Sequence, residues 1–138
     1  MENLERRSFT GEAREVRRVS AWWREWASGA GLSADTLYDG ELCLNEAVGN
    51  IVQHGRRANG AARSITVTFE RLTRGVRVTV ADDGPSFNPV AQPPPPRARS
   101  LEDAAVGGLG IQVIRTYASS VAYRREADQN VLVLTFEF

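Results

Sequence analysis

Apolar positions recur along this chain in two rhythms, and the switch between them outlines the fold. Residues 4–9 read as a short first strand. From Glu12 to about Ser28, Val16, Val19, Trp23 and Trp26 fall three and four residues apart, which predicts a helix with one apolar stripe. Gly29 and Gly31 end it. Ser33 suits an N-cap, with Asp35 in the first turn, where the helix dipole favours a carboxylate. A second helix then runs to about His54, burying Leu37, Leu44, Ala47, Val48 and Ile51, and Gly55 supplies its stop. After Gly60 the period drops to two. Ile65, Val67 and Phe69 alternate with Thr66 and Thr68; Val76, Val78 and Val80 repeat the pattern beyond a turn at Thr73-Arg74-Gly75. Asn88 to Val106 has no clear period and carries four prolines, Pro93 to Pro96, which fix φ and remove amide donors, so it reads as a stiff loop. Helical spacing returns from Leu109 to Ala118, and Val121–Arg125 with Val131–Phe138 closes the chain as a hairpin. The expected fold is α/β, an α+β two-layer sandwich whose mixed, mainly antiparallel sheet carries its helices on one face.

Composition narrows this picture only a little. The 138 residues suit a single domain, 1–138, long enough to bury a core. Seventeen basic residues balance seventeen acidic ones, which argues against direct nucleic-acid binding. Cys43 is the only cysteine, so neither an internal disulfide nor a thiolate metal cluster can form, and it reads as a small core hydrophobe. Met1 to Ser8 is charged, and no stretch approaches the roughly 20 apolar residues of a membrane span, so a soluble cytoplasmic protein is expected.

Three short segments carry candidate chemistry. Glu46 and Asn50 lie four residues apart on the second helix, so both project from one face. A Glu there can take a proton from a hydroxyl or position a water, and an Asn oxygen is a hard ligand suited to Mg²⁺. Taken alone, the pair is an ordinary solvated helix face. Asp82 follows a strand and precedes Gly84; a carboxylate at that end can accept from an exocyclic amine such as that of adenine, while the glycine lets the backbone approach a flat base. Taken alone, Asp82-Asp83-Gly84-Pro85 is also a common turn. Gly107, Gly108 and Gly110, with Leu109 between them, open a helix where free amides and the dipole favour phosphate. The order of the three, with a loop at 88–106 placed as a lid, predicts an ATP and Mg²⁺ site.

The segments Glu46–Gly55, Asp82–Pro89 and Gly107–Arg115 resemble the N, G1 and G2 boxes of the ATPase superfamily shared by gyrase, histidine kinases and MutL. Within it the chain is most similar, over nearly its whole length, to the anti-sigma-factor serine/threonine kinases of bacterial partner-switching systems. The resemblance implies a histidine-kinase-like ATPase fold, with Glu46 as general base and Asn50 as the Mg²⁺ ligand. Asp82 would hold the adenine amine beside Gly84, and Gly107, Gly108, Leu109 and Gly110 would line the phosphates. It further implies phosphorylation of a STAS-domain anti-anti-sigma protein, sequestration of a sigma factor or similar regulator, and a possible homodimer. Ser86 stands where the family places a second glycine, and Asp103-Ala104-Ala105-Val106 stands where members often carry a basic residue. A nucleotide-binding module that captures a partner without kinase activity is therefore the alternative, with Arg97 and Arg99 as the other lid cations.

Arg14, Arg18 and Trp22 fall at successive four-residue steps away from the apolar stripe, and the resemblance points to this region for partner binding. A solvated arginine face, with Trp22 covering the core edge, is the plainer reading. His54, the sole histidine, lies one turn beyond Asn50 and reads as a helix-end residue or a ligand.

Overall fold

The computed structural model describes residues 3–54, 63–91 and 110–138. In chain order these form β1 (Leu4–Thr10), α1 (Glu15–Gly29), α2 (Ala34–His54), β2 (Ser64–Leu72), β3 (Gly75–Asp82), α3 (Gly110–Tyr117), β4 (Ser120–Glu126) and β5 (Gln129–Glu137), with a single 3₁₀ turn at Pro89–Ala91. The strands make one sheet in the order β1-β2-β3-β5-β4, and every neighbouring pair is antiparallel. The expected two-layer architecture is met, without any parallel pairing in the described sheet.

Alternation decides which side chains meet the helices. Ile65, Val67 and Phe69 of β2, Val76, Val78 and Val80 of β3, and Leu132, Leu134 and Phe136 of β5 are all buried on one face. Against them pack Val19, Trp22, Trp23 and Trp26 of α1, Leu44, Ala47 and Val48 of α2, and Ile111 and Ile114 of α3. Phe69 is the centre of an aromatic cluster. Its ring lies 4.0 Å from Trp22, 5.1 Å from Trp23 and 5.3 Å from Trp26, centroid to centroid.

Helix boundaries follow local chemistry. α1 begins three residues later than its apolar period suggests, because Glu12 and Ala13 close a turn by accepting from the Glu15 and Val16 amides. Its far end is a Schellman stop: Gly31 has φ +75°, its amide donates to Ser28, and the Leu32 amide reaches back to Ala27. Ser33 caps α2 as expected, its hydroxyl accepting from the Thr36 amide at 3.2 Å. The turn between β2 and β3 is tighter than the sequence suggests, since Leu72 pairs directly with Gly75 and only Thr73 and Arg74 lie between. Among the described residues, no helix is long and apolar enough to cross a membrane.

Candidate nucleotide site

The inward rows of the sheet end in polar residues on the same side. Asp82 is the next inward position after Val80 on β3, and Asn130 precedes Leu132 on β5; the two are direct cross-strand partners. Arg63, two residues before the inward-facing Ile65, continues the β2 row. All three are nearly fully buried, so the sheet presents a carboxylate, an amide and a guanidinium to the helix layer at one end. Helical spacing brings Ala47, Asn50, Ile51 and His54 of α2 over them.

Between these walls lies a cavity of about 180 Å³. Its sides are largely apolar (Ala47, Ile51, Val80, Leu132), with Asp82, Asn130, Arg63 and Asn50 reaching it, and Pro85, Ser86, Phe87 and Pro89 forming its rim. That is below the ~300 Å³ at which pockets for drug-sized ligands begin, and it suits a single flat ring system. His54 and Phe87 close one side with stacked rings, 5.3 Å apart and inclined by 26°.

Asp82 is tightly held. Its Oδ2 accepts from the Gly84 amide at 3.0 Å, from Arg63 Nη1 at 3.2 Å and from Asn130 Nδ2 at 3.3 Å. The first of these is an Asx-type turn, which bends the chain at the glycine. Arg63 packs against Gly84, where an added Cβ would lie 1.6 Å from Arg63 Nη1, so a side chain there would have to displace the guanidinium from Asp82. Asn130 anchors the segment that follows. Its Nδ2 donates to the Pro85 carbonyl at 2.9 Å, and its Oδ1 accepts from Tyr123 Oη at 2.6 Å and the Phe87 amide at 3.1 Å. Arg125 of β4 donates to the Gly84 carbonyl at 2.6 Å and to the same Asn130 oxygen at 3.2 Å.

The structure thus brings Asn50, Asp82 and Gly84 together. Glu46 is half-buried one turn earlier on α2 and lies outside the cavity lining. The residues with which it makes itself felt include Cys43, whose thiol is pushed up to about 12, first by burial and then by the charges of Asp39 and Glu46. Gly110 opens α3. Gly107, Gly108 and Leu109, the lid from residue 92 to 106, and with it Arg97, Arg99 and the Asp103–Val106 stretch, lie outside the described residues.

The proposed partner face needs correction at Trp22. That side chain is only 3% exposed, because it fills the space between α1 and the sheet, stacked on Phe69 with its indole N–H donated to Glu5 Oε2 at 3.0 Å. Arg14 and Arg18 are exposed and paired with Glu12 at 3.0 Å and Glu15 at 2.7 Å. Removal from water would raise the Glu15 pKa, but hydrogen bonds from Arg18 and Thr10 and the Arg18 charge hold it below its usual range.

Reading the sequence alone missed Arg63, Asn130, Tyr123 and Arg125. A signal for two of them was present: Asn130 and Arg63 are polar residues at inward positions of otherwise apolar alternating rows.

Residues 9–136 match the family model of the histidine kinase-like ATPase domain. Among curated proteins, the serine/threonine-protein kinase BtrW of Bordetella bronchiseptica is 37% identical over 94 residues, 68% of this chain and 66% of that protein. The serine-protein kinase RsbW of Staphylococcus epidermidis is 26% identical over 113 residues, 79% of this chain and 71% of that one. Among solved structures, the RsbU and RsbW domains of Rv1364c from Mycobacterium tuberculosis superpose with a TM-score of 0.72 at 19% identity, a likeness of fold that covers 99% of this chain and 32% of that one.

Proposed function

This chain belongs to the histidine kinase-like ATPase domain family, and on that premise we propose that it binds Mg-ATP and phosphorylates a serine or threonine of a protein partner. The observation that carries the reading is the convergence of Asn50 from α2 with Asp82 from the end of β3 on one cavity with apolar walls, the Asp82 carboxylate being held by the Gly84 amide. The similarity to BtrW and RsbW, both named as protein kinases, agrees with it.

Each residue has a distinct part. Val80, Leu132, Ile51 and Ala47 exclude water from the faces of a base, and Asp82 accepts from its exocyclic amine. The Asn50 amide oxygen is one hard donor among the cavity's lining residues. A single protein oxygen supplemented by phosphate oxygens and water is the usual environment of a nucleotide-bound Mg²⁺, so the donor set fits that ion. The metal would supply charge neutralisation at the phosphates. Glu46, one turn from Asn50 on the same helix face, takes the proton of the partner's hydroxyl. The hydroxyl oxygen's electron pair then forms the bond to the γ-phosphorus, the bridging P–O bond breaks toward ADP, and the proton stays on Glu46. The partner in this reading is a STAS-domain anti-anti-sigma protein, with a sigma factor or similar regulator held when that partner is unavailable.

The acid and small residues at Asp103–Val106 favour a second reading, in which the nucleotide-loaded domain captures its partner without transferring phosphate. Terminally labelled ATP mixed with candidate STAS proteins separates the two. Label on the partner, lost in Glu46→Ala while ATP binding persists, is the expected result. Tight ATP binding with no transfer to any of these partners removes the kinase and leaves the capture module.

A further inference from the structure

We propose that Asn130 is a positioning residue that sets the pocket's preference for a base with an exocyclic amine, by turning one oxygen of Asp82 toward the cavity. The inference rests on the nucleotide-binding reading above and adds to it the residue that aims the carboxylate. Asn130 breaks an inward row that is otherwise apolar, Leu132, Leu134 and Phe136, and is only 6% exposed. A buried amide is costly unless both its ends are hydrogen-bonded, and here both are. The Phe87 amide at 3.1 Å and the Arg125 guanidinium at 3.2 Å can only donate, so they mark the Oδ1 end, where Tyr123 Oη also donates at 2.6 Å. The Pro85 carbonyl at 2.9 Å can only accept, so it marks the Nδ2 end. The 3.3 Å contact with Asp82 Oδ2 is therefore a hydrogen bond that Asn130 donates, its direction fixed by the amide's other neighbours.

Asn130 acts on Asp82 twice. Its own Nδ2 donates to Oδ2, and its two ends together hold Pro85 and Phe87, which follow the Gly84 whose amide donates to the same oxygen at 3.0 Å. Every hydrogen bond that the described residues make to this carboxylate falls on Oδ2. A carboxylate has a second oxygen with its own lone pairs. With Oδ2 occupied from the strand and the turn, Oδ1 is the oxygen left to accept from an amine in the cavity that Asp82 lines. An adenine amine then adds a bond and displaces none. Without Asn130 the carboxylate loses one donor outright and the anchor of the turn that carries another. Its terminal torsion, broad by nature, is then free to turn the accepting oxygen away from the amine. A base without the amine makes no use of Oδ1 and is indifferent to that rotation.

ADP and purine riboside diphosphate share their ribose, phosphates and ring system and differ in the 6-amino group, so the ratio of their dissociation constants isolates it. Calorimetric titration of wild-type protein, Asn130→Ala and Asn130→Ser with both ligands is the test. Wild-type protein should bind ADP about tenfold more tightly than the analogue, the effect of one hydrogen bond to a charged group. Asn130→Ala should bring the two ligands to within about twofold of each other, chiefly by weakening ADP. Asn130→Ser keeps a hydroxyl too short to join Asp82 to the turn, and should leave a preference of about threefold. That second variant carries the test if Asn130→Ala does not fold. A merely structural role would weaken both ligands alike and keep the wild-type ratio. That result, or a wild type that binds both ligands equally, overturns the role of Asn130 and leaves nucleotide binding standing. Absence of binding of either ligand to the wild type overturns the nucleotide reading itself, and this inference with it.

Discussion

Cys43 sits with none of its surface exposed on the core side of α2, one turn before the Glu46–Asn50 face. Burial, with Asp39 and Glu46 nearby, holds its thiol protonated up to about pH 12. Two outcomes are expected. Ellman's reagent at pH 8 should label the native protein only as fast as it opens, and the denatured protein at once. Because the unfolded thiol titrates near its ordinary 9.0, the unfolded state loses its proton first, and stability should fall as pH rises from 9 toward 12, an effect absent in Cys43→Ala. At the β4–β5 turn, Ala127 and Asp128 adopt φ +50° and +61°, the left-handed geometry of a two-residue hairpin loop. Asp adopts it more readily than Ala, because its short polar side chain can hydrogen-bond the local backbone. Ala127→Asn should therefore raise stability by about 1 kcal/mol in urea unfolding, with the slope of the transition unchanged.

Helix α2 carries two glycines with opposite prospects. Gly40 is buried against α1, and a Cβ there would lie 2.1 Å from a ring carbon of Trp23, whose indole N–H is pinned to the Leu37 carbonyl at 2.9 Å. The ring cannot step aside without opening the aromatic cluster around Phe69. Gly49 faces open space, and a methyl group added there would meet nothing within 4 Å. Gly40→Ala should cost about 1–3 kcal/mol through overpacking, whereas Gly49→Ala should gain up to about 1 kcal/mol from helix propensity. Paired thermal melts of the two variants check both signs. The glycine at 40 also explains how α1 and α2 approach closely enough for Ser20 to reach Asn45 at 2.6 Å and Arg24 to reach Glu41 at 2.8 Å.

At the scale of the whole molecule, the site lies at the seam between the helix layer and one end of the sheet, so occupying it should stabilise both layers at once. With ADP at about 100 times its dissociation constant, the gain in unfolding free energy should be near 2.7 kcal/mol. Asp82→Asn should remove most of that gain, because the amide presents a donor toward the base amine. Asn50→Ala should reduce it chiefly when Mg²⁺ is present. Differential scanning calorimetry with and without Mg-ADP reads both, and each variant's own ligand-free melt corrects for lost packing. Phe69→Ala sets the opposite control: it should cost about 3–5 kcal/mol, a large share of a typical domain's 5–15 kcal/mol, with or without ligand.

Much of the architecture was legible from the chain because it depends on local periodicity. Alternation at Ile65–Phe69 and Val76–Val80 specifies which face of the sheet is apolar, and the spacing of Val19, Trp23 and Trp26 specifies the face of α1 that meets it. Ser33 and Gly31 mark helix ends through their own backbone chemistry. Asn50, Asp82 and Gly84 were likewise visible as residue types; the fold brings Asn50 and Asp82 to one cavity, with the Gly84 amide bonded to Asp82. What the linear pattern could not supply is register between strands distant in the chain. Only the pairing of β3 with β5 sets Asn130 opposite Asp82, and only the β2 row places Arg63 against both Asp82 and the end of α2. Trp22 was misplaced for a different reason: it lies three residues after Val19 and four before Trp26, so helical spacing already extends the apolar face to it, and the four-residue steps from Arg14 and Arg18 drew it to the wrong side. Periodicity is a property of neighbours in sequence, whereas the contacts that join Asp82 to Asn130 and to Arg63 span 48 and 19 positions, and tertiary packing alone determines those.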